Sequence, residues 1–431
     1  MLSEGVRGGE FLRSRGSATG ASQFLALAGA LAARLPDRPA ALNVCERRDN
    51  FLVAFTAMLI RGQVCLLPPS RVPAAVNEVM EEHPGSYAVD DAYVEHASPA
   101  QPLTERSVLA VPPDGVVVIG YTSGSTGRPK PNPKTWGGFA ACTALNASRL
   151  RDILPAKRDG LLPWIVATVP PQHMYGMELS VLMPLLGGMG IHGGHPLYPA
   201  DIASALADVP GPRILVSTPV HLRVLLESGV ELPELGAVVS ATAPLPVELA
   251  RAIERRFGTA LLEYFGSTET CIVASRRTAV DDAWHPYPGV MLKPLDDRTQ
   301  VDAPWFISSM VLQDVLELRR DGTFTVRGRN ADMVEVAGKR ASLADLTRRL
   351  ASIPGVLDAV VFQPDAADST TARRLAALVV ADGLTEAAVL AKLAQAVDPA
   401  FLPRPLVLVP RLPRNEVGKL PRAELLAALR R

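Results

Sequence analysis

Two hydropathy patterns alternate along the chain. Short apolar, β-branched runs bounded by turn residues read as buried strands, and stretches with apolar residues every three or four positions read as helices. Residues 64–67, 116–120, 165–169, 214–217 and 237–240 are of the first kind. Residues 21–35, 47–60, 137–151, 220–227 and 247–257 are of the second. From Arg213 onward strands and helices alternate, the order of a sheet covered by helices. The pattern then changes. Residues 315–319 and 323–326 alternate apolar and polar around Asp321-Gly322, which predicts a hairpin. Strands over 356–362 and 375–380 and a helix over 386–396 predict a small α+β unit. The expected fold class is α/β: a large N-terminal domain of β-sheets flanked by helices, plus a small α+β C-terminal domain. Residues 276–312 show no readable period, and the loop at His285–Val290 receives no role.

Composition narrows the functional classes. The 431 residues carry 44 basic and 44 acidic side chains, so no basic excess points to nucleic acid or an anionic membrane. Aromatic residues are 5% of the chain, too few for a platform that stacks single-stranded bases. The four cysteines, Cys45, Cys65, Cys142 and Cys271, are scattered without metal-ligand or disulfide spacing, as expected in a reducing compartment. Residues 1–20 are polar and rich in Gly, Ser and Arg, and are expected to be disordered rather than a secretory signal. The apolar stretch 51–67 is interrupted by Arg61-Gly62-Gln63 and is too short to span a bilayer. The expectation is a cytoplasmic protein with no nucleic-acid partner and no membrane span.

The strongest chemical signal follows the strand at 116–120. It reads Tyr121-Thr122-Ser123-Gly124-Ser125-Thr126-Gly127-Arg128-Pro129-Lys130. Glycines let backbone N–H groups approach an anion, hydroxyls add donors, and a lysine supplies a point charge for phosphate. The spacing is not that of the Gly-x-x-x-x-Gly-Lys-Ser/Thr loop. The loop is nevertheless built to hold a polyphosphate.

This decapeptide resembles the phosphate loop of the adenylate-forming superfamily, which contains acyl-CoA synthetases, adenylation domains of peptide synthetases and luciferases. Further motifs of that superfamily occur in order over residues 40–431. Pro170-Pro171-Gln172-His173-Met174-Tyr175-Gly176 is similar to its Pro-x-x-His-x-x-Gly turn. By that resemblance His173 lies at the carboxylate end of the acid pocket, with Met174 and Tyr175 lining it. Ala241-Thr242-Ala243 occupies the place of a glycine-containing turn that borders adenine and the acyl group, and no glycine stands there. Phe265-Gly266-Ser267-Thr268-Glu269 resembles the Tyr-Gly-x-Thr-Glu motif, which implies Phe265 on adenine, Thr268 on phosphate and Glu269 on Mg²⁺. Asp314, before the hairpin, is implied to bind the ribose hydroxyls, and Arg329 the ribose or phosphate. Gly338-Lys339-Arg340 resembles the loop that enters for thioester formation. Pro413 to Arg422 resembles the terminal Pro-x-x-x-x-Gly-Lys-x-x-Arg loop and makes Lys419 the catalytic lysine.

The resemblance implies a domain at 21–329, a hinge at 330–332, with Ala331 where the family has an acidic residue, and a mobile lid domain at 333–431. It implies ATP and Mg²⁺ as cofactors. The activity implied is an acid–thiol ligase that forms an acyl-adenylate and passes the acyl group to coenzyme A or a holo acyl carrier protein. The short N-terminal domain resembles stand-alone ligases of aryl-polyene-type pigment pathways and favours an aryl acid such as a hydroxybenzoate. A fatty acyl-CoA synthetase, a luciferase-like oxidase and a non-catalytic binding protein of the same fold are the alternatives.

Overall fold

The computed structural model describes residues 9–14, 16–96, 111–123, 129–155, 161–295, 298–312, 314–329, 333–336, 339–364, 375–397, 399–415 and 418–430. The chain divides into two compact units, residues 1–290 with 303–308, and residues 291–302 with 309–431.

Two sheets organise the first unit. In the five-stranded sheet the order is Tyr87–Val89, Ala40–Asn43, Val64–Leu67, Val116–Ser123 and Pro129–Thr135; the last pair is antiparallel and the others are parallel. The nine-stranded sheet runs His285–Pro286, Cys271–Arg276, Leu261–Ser267, Ala237–Ser240, Arg213–Ser217, Trp164–Ala167, Gly190–His192, Glu10–Ser14 and Ser17–Gly20. Its central strands are parallel, and the antiparallel pairs stand at the two edges. A parallel sheet is buried on both faces, so its strands read as continuous apolar runs. Arg213–Ser217 and Ala237–Ser240 do so, and every residue of Ala237–Ser240 is buried. The helix Arg48–Ile60 is buried nearly all round, with Phe51, Phe55 and Met58 in the main core.

Two boundaries differ from the sequence reading. Residues 10–14 and 17–20, expected to be disordered, form an antiparallel pair that extends the nine-stranded sheet. Phe11, fully buried, packs edge-on against Phe24 at 5.1 Å, which gives this polar segment its anchor. The first unit comprises residues 1–290 and 303–308, whereas the sequence reading places a domain at 21–329. The unreadable stretch holds a three-stranded sheet, Met291–Pro294, Thr299–Asp302 and Met310–Leu312, that belongs to the second unit. Its strands are only three or four residues long, too short for an apolar period to show in the sequence.

The second unit continues with the hairpin Asp314–Leu318/Phe324–Arg329, turning at Gly322 with φ 83°, and the hairpin Met333–Val336/Lys339–Ser342. The helix Leu343–Ala351 and the sheet Val356–Phe362, Ala376–Ala381 and Leu406–Leu408 close around Leu346, Leu350, Val361 and Val379. Among the described residues no helix is long and apolar enough to cross a membrane. The four cysteines are buried and unbridged.

Candidate active site

The strand Val116–Ser123 pairs with Pro129–Thr135 so that Thr122 faces Lys130 and Gly120 faces Asn132. Asn132 Nδ2 donates to the carbonyls of Gly120 (3.2 Å) and Lys130 (2.9 Å), which holds the two strands just before the loop. Gly124, Ser125, Thr126 and Gly127 lie outside the described residues. Lys130 is exposed. Lys130, Asn132 and Lys134 alternate along one face of their strand. Lys134 is buried, and its amine donates to the main-chain carbonyl of Glu269.

That bond links two sequence motifs, and Gly120 brings in a third. A Cβ at Gly120 would stand 3.1 Å from Met174 Cε and 3.3 Å from Thr268 Cγ2, tighter than side-chain packing normally allows. The bare backbone here lets the side chains after His173 and before Glu269 close on the strand that enters the phosphate-loop segment.

Along Leu261–Ser267 the side chains alternate. Tyr264 points into the core and donates to the Asn146 carbonyl at 3.1 Å, while Phe265 is half-buried on the other face. Phe265 lies against Trp284 with ring centroids 5.3 Å apart, and the Arg276 guanidinium covers Trp284 at 4.3 Å. Arg276 is tied to the buried Glu263 at 2.7 Å, and Glu263 also accepts from Thr278 Oγ1 (2.5 Å) and Leu245 N–H (3.1 Å). Burial pushes the Glu263 carboxyl up, and the charge of Arg276 opposes that. The chain therefore backs Phe265 with a charged, hydrogen-bonded wall. Gly266 is exposed, and Ser267 shares hydrogen bonds with Thr270 that shape the turn carrying Thr268 and Glu269.

The His173 turn is closed by its last residue. A Cβ at Gly176 would stand 2.0 Å from the Pro170 carbonyl oxygen, so only glycine permits this return of the chain. His173 is the N-cap of the helical turn Met174–Met177. Tyr175 is buried, its hydroxyl donates to the Ser217 carbonyl at 3.1 Å, and burial holds its phenol well above the usual range. Arg48, fully buried, anchors the start of the turn by donating to the carbonyls of Ala167 (2.9 Å) and Val169 (2.8 Å) and to Ser180 Oγ. Burial lowers its guanidinium to about 9. His195 Nε2–H donates to the Thr168 carbonyl at 3.0 Å, and burial, then the charge of Arg48, lowers its imidazole to about 4.

Ala241-Thr242-Ala243 lacks glycine, yet the backbone keeps the conformation that glycine favours. Thr242 has φ 77°, an outlying value for a β-branched residue. Ala241 is buried and Thr242 exposed.

In the second unit, Asp314 begins its strand opposite Arg329. Lys339 and Arg340 sit on a hairpin strand in register with Val336 and Glu335. Gly338 and residues 330–332 lie outside the described residues. Lys419 is exposed on a tight turn. Asn415 N–H donates to its carbonyl at 2.8 Å, Lys419 N–H donates to Asn415 Oδ1 at 2.8 Å, and Arg414 donates to the Gly418 carbonyl at 3.0 Å. Arg414 is in turn held by both oxygens of Asp358, at 3.0 and 2.8 Å.

Three supporting residues were not identified from the sequence. Lys134 had a signal, a lysine two places beyond a buried-face Asn132. Arg48 had a weaker one, a cation opening a helix with no polar face. Trp284 sits in the stretch without period and had none.

The sequence profile of the family described as AMP-binding enzyme matches residues 52–305. The chain is 28% identical over 249 residues to a 4-coumarate–CoA ligase of Rhodobacter capsulatus, covering 58% of this chain and 61% of that protein. It is 26% identical over 402 residues to a sulfoacetate–CoA ligase of Cupriavidus necator, covering 82% of this chain and 76% of the relative. The chain thus spans about three fifths to three quarters of the length of these curated relatives. The fold matches that of the O-succinylbenzoate coenzyme A synthetase of Bacillus subtilis in complex with AMP, at TM-score 0.80 and 19% identity over 96% of this chain and 95% of that one.

Proposed function

The chain belongs to the AMP-binding enzyme family, and from that premise we propose that it is an AMP-forming acid–thiol ligase. A carboxylate oxygen of the acid attacks the α-phosphorus of ATP, pyrophosphate leaves, and an acyl-adenylate forms. A thiolate then attacks the acyl carbon, AMP leaves, and a thioester remains.

The observation that carries this reading is the meeting of three motifs at Gly120, where Met174 and Thr268 close on the strand entering the phosphate-loop segment. In this reading Thr122, Ser123, residues 124–127 and Lys130 hold the ATP phosphates, with Thr268 beside them. Phe265, backed by Trp284, stacks on adenine. Asp314 takes the ribose hydroxyls, and Arg329 the ribose or phosphate. Lys419 reaches the carboxylate and the α-phosphate, where positive charge stabilises the oxygens that gain charge in the transfer. Residues 330–332 are the pivot, and Gly338, Lys339 and Arg340 serve the thioester step.

The donors present suit magnesium. The Glu269 carboxylate is half-exposed while its carbonyl is tied down by Lys134, and magnesium needs only one or two protein carboxylates beside phosphate oxygens. When bound, the ion neutralises charge on those oxygens.

The acid of this reading is an aryl acid such as a hydroxybenzoate, bordered by His173, Met174, Tyr175 and the turn Ala241–Ala243. The acceptor is a pantetheine thiol, coenzyme A by analogy with relatives named CoA ligases, with holo acyl carrier protein as the other candidate. ATP–pyrophosphate exchange over hydroxybenzoates, cinnamates, fatty acids and amino acids tests the reading. Exchange confined to aryl acids supports the adenylation step and the acid, and thioester formation when coenzyme A or holo acyl carrier protein is then added supports the second step. Exchange with another acid class moves the substrate but keeps the reaction, and ATP binding without any exchange removes the reaction.

A further inference from the structure

Three donors that the proposed ligase chemistry leaves unused meet inside the first unit. The Sγ atoms of Cys142 and Cys271 and a carboxylate oxygen of Glu178 lie within 4.8 Å of one another, and all three residues are buried. They arrive from the helix Trp136–Ile153, the first residue of the strand Cys271–Arg276, and the first residue of the π-helical turn Glu178–Leu182. π-helical turns collect at functional sites because they re-aim side chains within a helix. Cys271 has φ 59°, in the left-handed region that a residue with a side chain seldom adopts. Among the described residues Glu178, 1% exposed, accepts from Ile272 N–H, at 3.1 Å to each oxygen, and from Asn146 Nδ2 at 3.2 Å. No lysine or arginine pairs with it among the described residues.

We propose that Cys142, Glu178 and Cys271 form a binding site for a thiophilic divalent cation of the zinc class. For a tetrahedral ion with metal–sulfur bonds of about 2.3 Å and metal–oxygen bonds of about 2.0–2.2 Å, the donors stand about 3.5–3.8 Å apart. The observed spacing needs only small side-chain movements to reach that. Two thiolates select a soft ion and reject magnesium, so this site and the oxygen-rich site at Glu269 sort the two metals by chemistry. The donors bind as two thiolates and a carboxylate, and whatever protons they carry pass to solvent. Three negative donors and a doubly charged ion leave one net negative charge. The ammonium of Lys134, whose charge acts on all three donors, offsets it. Because Cys271 follows Glu269 by two residues, the ion ties the Thr268–Glu269 turn to two core helical segments.

The test is metal content and spectroscopy on the full chain, expressed in zinc-replete and in cobalt-replete medium and purified in the presence of excess magnesium. The expected result is about one zinc or cobalt ion per chain, the cobalt form showing a thiolate-to-cobalt charge-transfer band. Cys142→Ser and Cys271→Gly should each lose the ion and the band. Cys271→Gly also relieves the left-handed backbone, so it decides the matter if Cys142→Ser fails to fold; circular dichroism reports the fold of each. Wild-type protein without a stoichiometric ion, or a folded Cys271→Gly protein that keeps both ion and band, overturns the proposal.

Discussion

The turn that carries Glu269 and the turn that carries Lys419 are held in opposite ways. The first is locked from the core. Buried Lys134 grips the Glu269 carbonyl, Glu263 and Arg276 back Trp284 behind Phe265, and Arg48 ties down the strand end that leads into the His173 turn. The ties of Lys134 and Arg48 cross more than a hundred residues, and Lys134, Glu263 and Arg48 are all buried. The second is held by hydrogen bonds within five residues and by one half-buried pair, Arg414 with Asp358, while the lysine itself faces solvent. Groups that only position phosphates gain from rigidity. A lysine that moves between two steps, the role proposed above for Lys419, gains from a support that travels with it. The contrast predicts that damage to the first site appears as lost stability and damage to the second as lost rate.

The sharpest test of that contrast is Lys419→Ala. Loss of one preorganised donor to developing charge should lower pyrophosphate exchange by about 10²–10³-fold, with an unchanged melting temperature. A variant that exchanges at the wild-type rate removes Lys419 from the chemistry. Arg48→Ala should do the reverse. It takes the guanidinium donor from two buried carbonyls, so chemical denaturation should show a loss of about 3 kcal/mol. A loss near zero would mean that water replaces the guanidinium and that the first unit is not locked in this way.

A smaller change in the opposite direction is expected at Thr242. Its left-handed backbone costs about 1–3 kcal/mol, and Thr242→Gly should recover about 1 kcal/mol in the same denaturation experiment. Unchanged or reduced stability would show that the threonine side chain compensates for the strain.

The pH response sharpens the comparison last, because all seven histidines precede residue 291 and so fall in the first unit. The imidazole of His195 is lowered from its ordinary 6.5 to about 4 in the fold. The unfolded chain therefore takes up this proton first. The contribution of His195 to stability is complete above about pH 6.5, declines as the pH falls toward about 4, and changes no further below that. Melting temperatures across this window should fall less steeply in His195→Gln than in the wild type. Parallel curves would assign the acid sensitivity to other groups.

Much of the fold was readable because strands buried on both faces must be apolar along their whole length. The strand Ala237–Ser240 and the helix Val247–Phe257 have the limits that their sequence predicts. The hairpin around Asp321-Gly322 was readable from its turn chemistry. Residues 10–20 were not, because a short edge pair is anchored by one aromatic, Phe11, among polar neighbours. Residues 291–312 were not, because strands of three or four residues are too short to show a period.

The sequence by itself determined which side chains are present: hydroxyls, glycines and a lysine in one short segment, a glutamate after a strand, and a lysine near the C-terminal end. Each of these is a local pattern, and local patterns survive without knowledge of the fold. Only the tertiary structure decided what supports them. Lys134 beneath Glu269, Arg48 behind the His173 turn and Glu178 between two cysteines are meetings of residues 36 to 135 positions apart. Nothing in the local sequence encodes such meetings, because they arise where two sheets and their helices bury charged groups that must then find a partner.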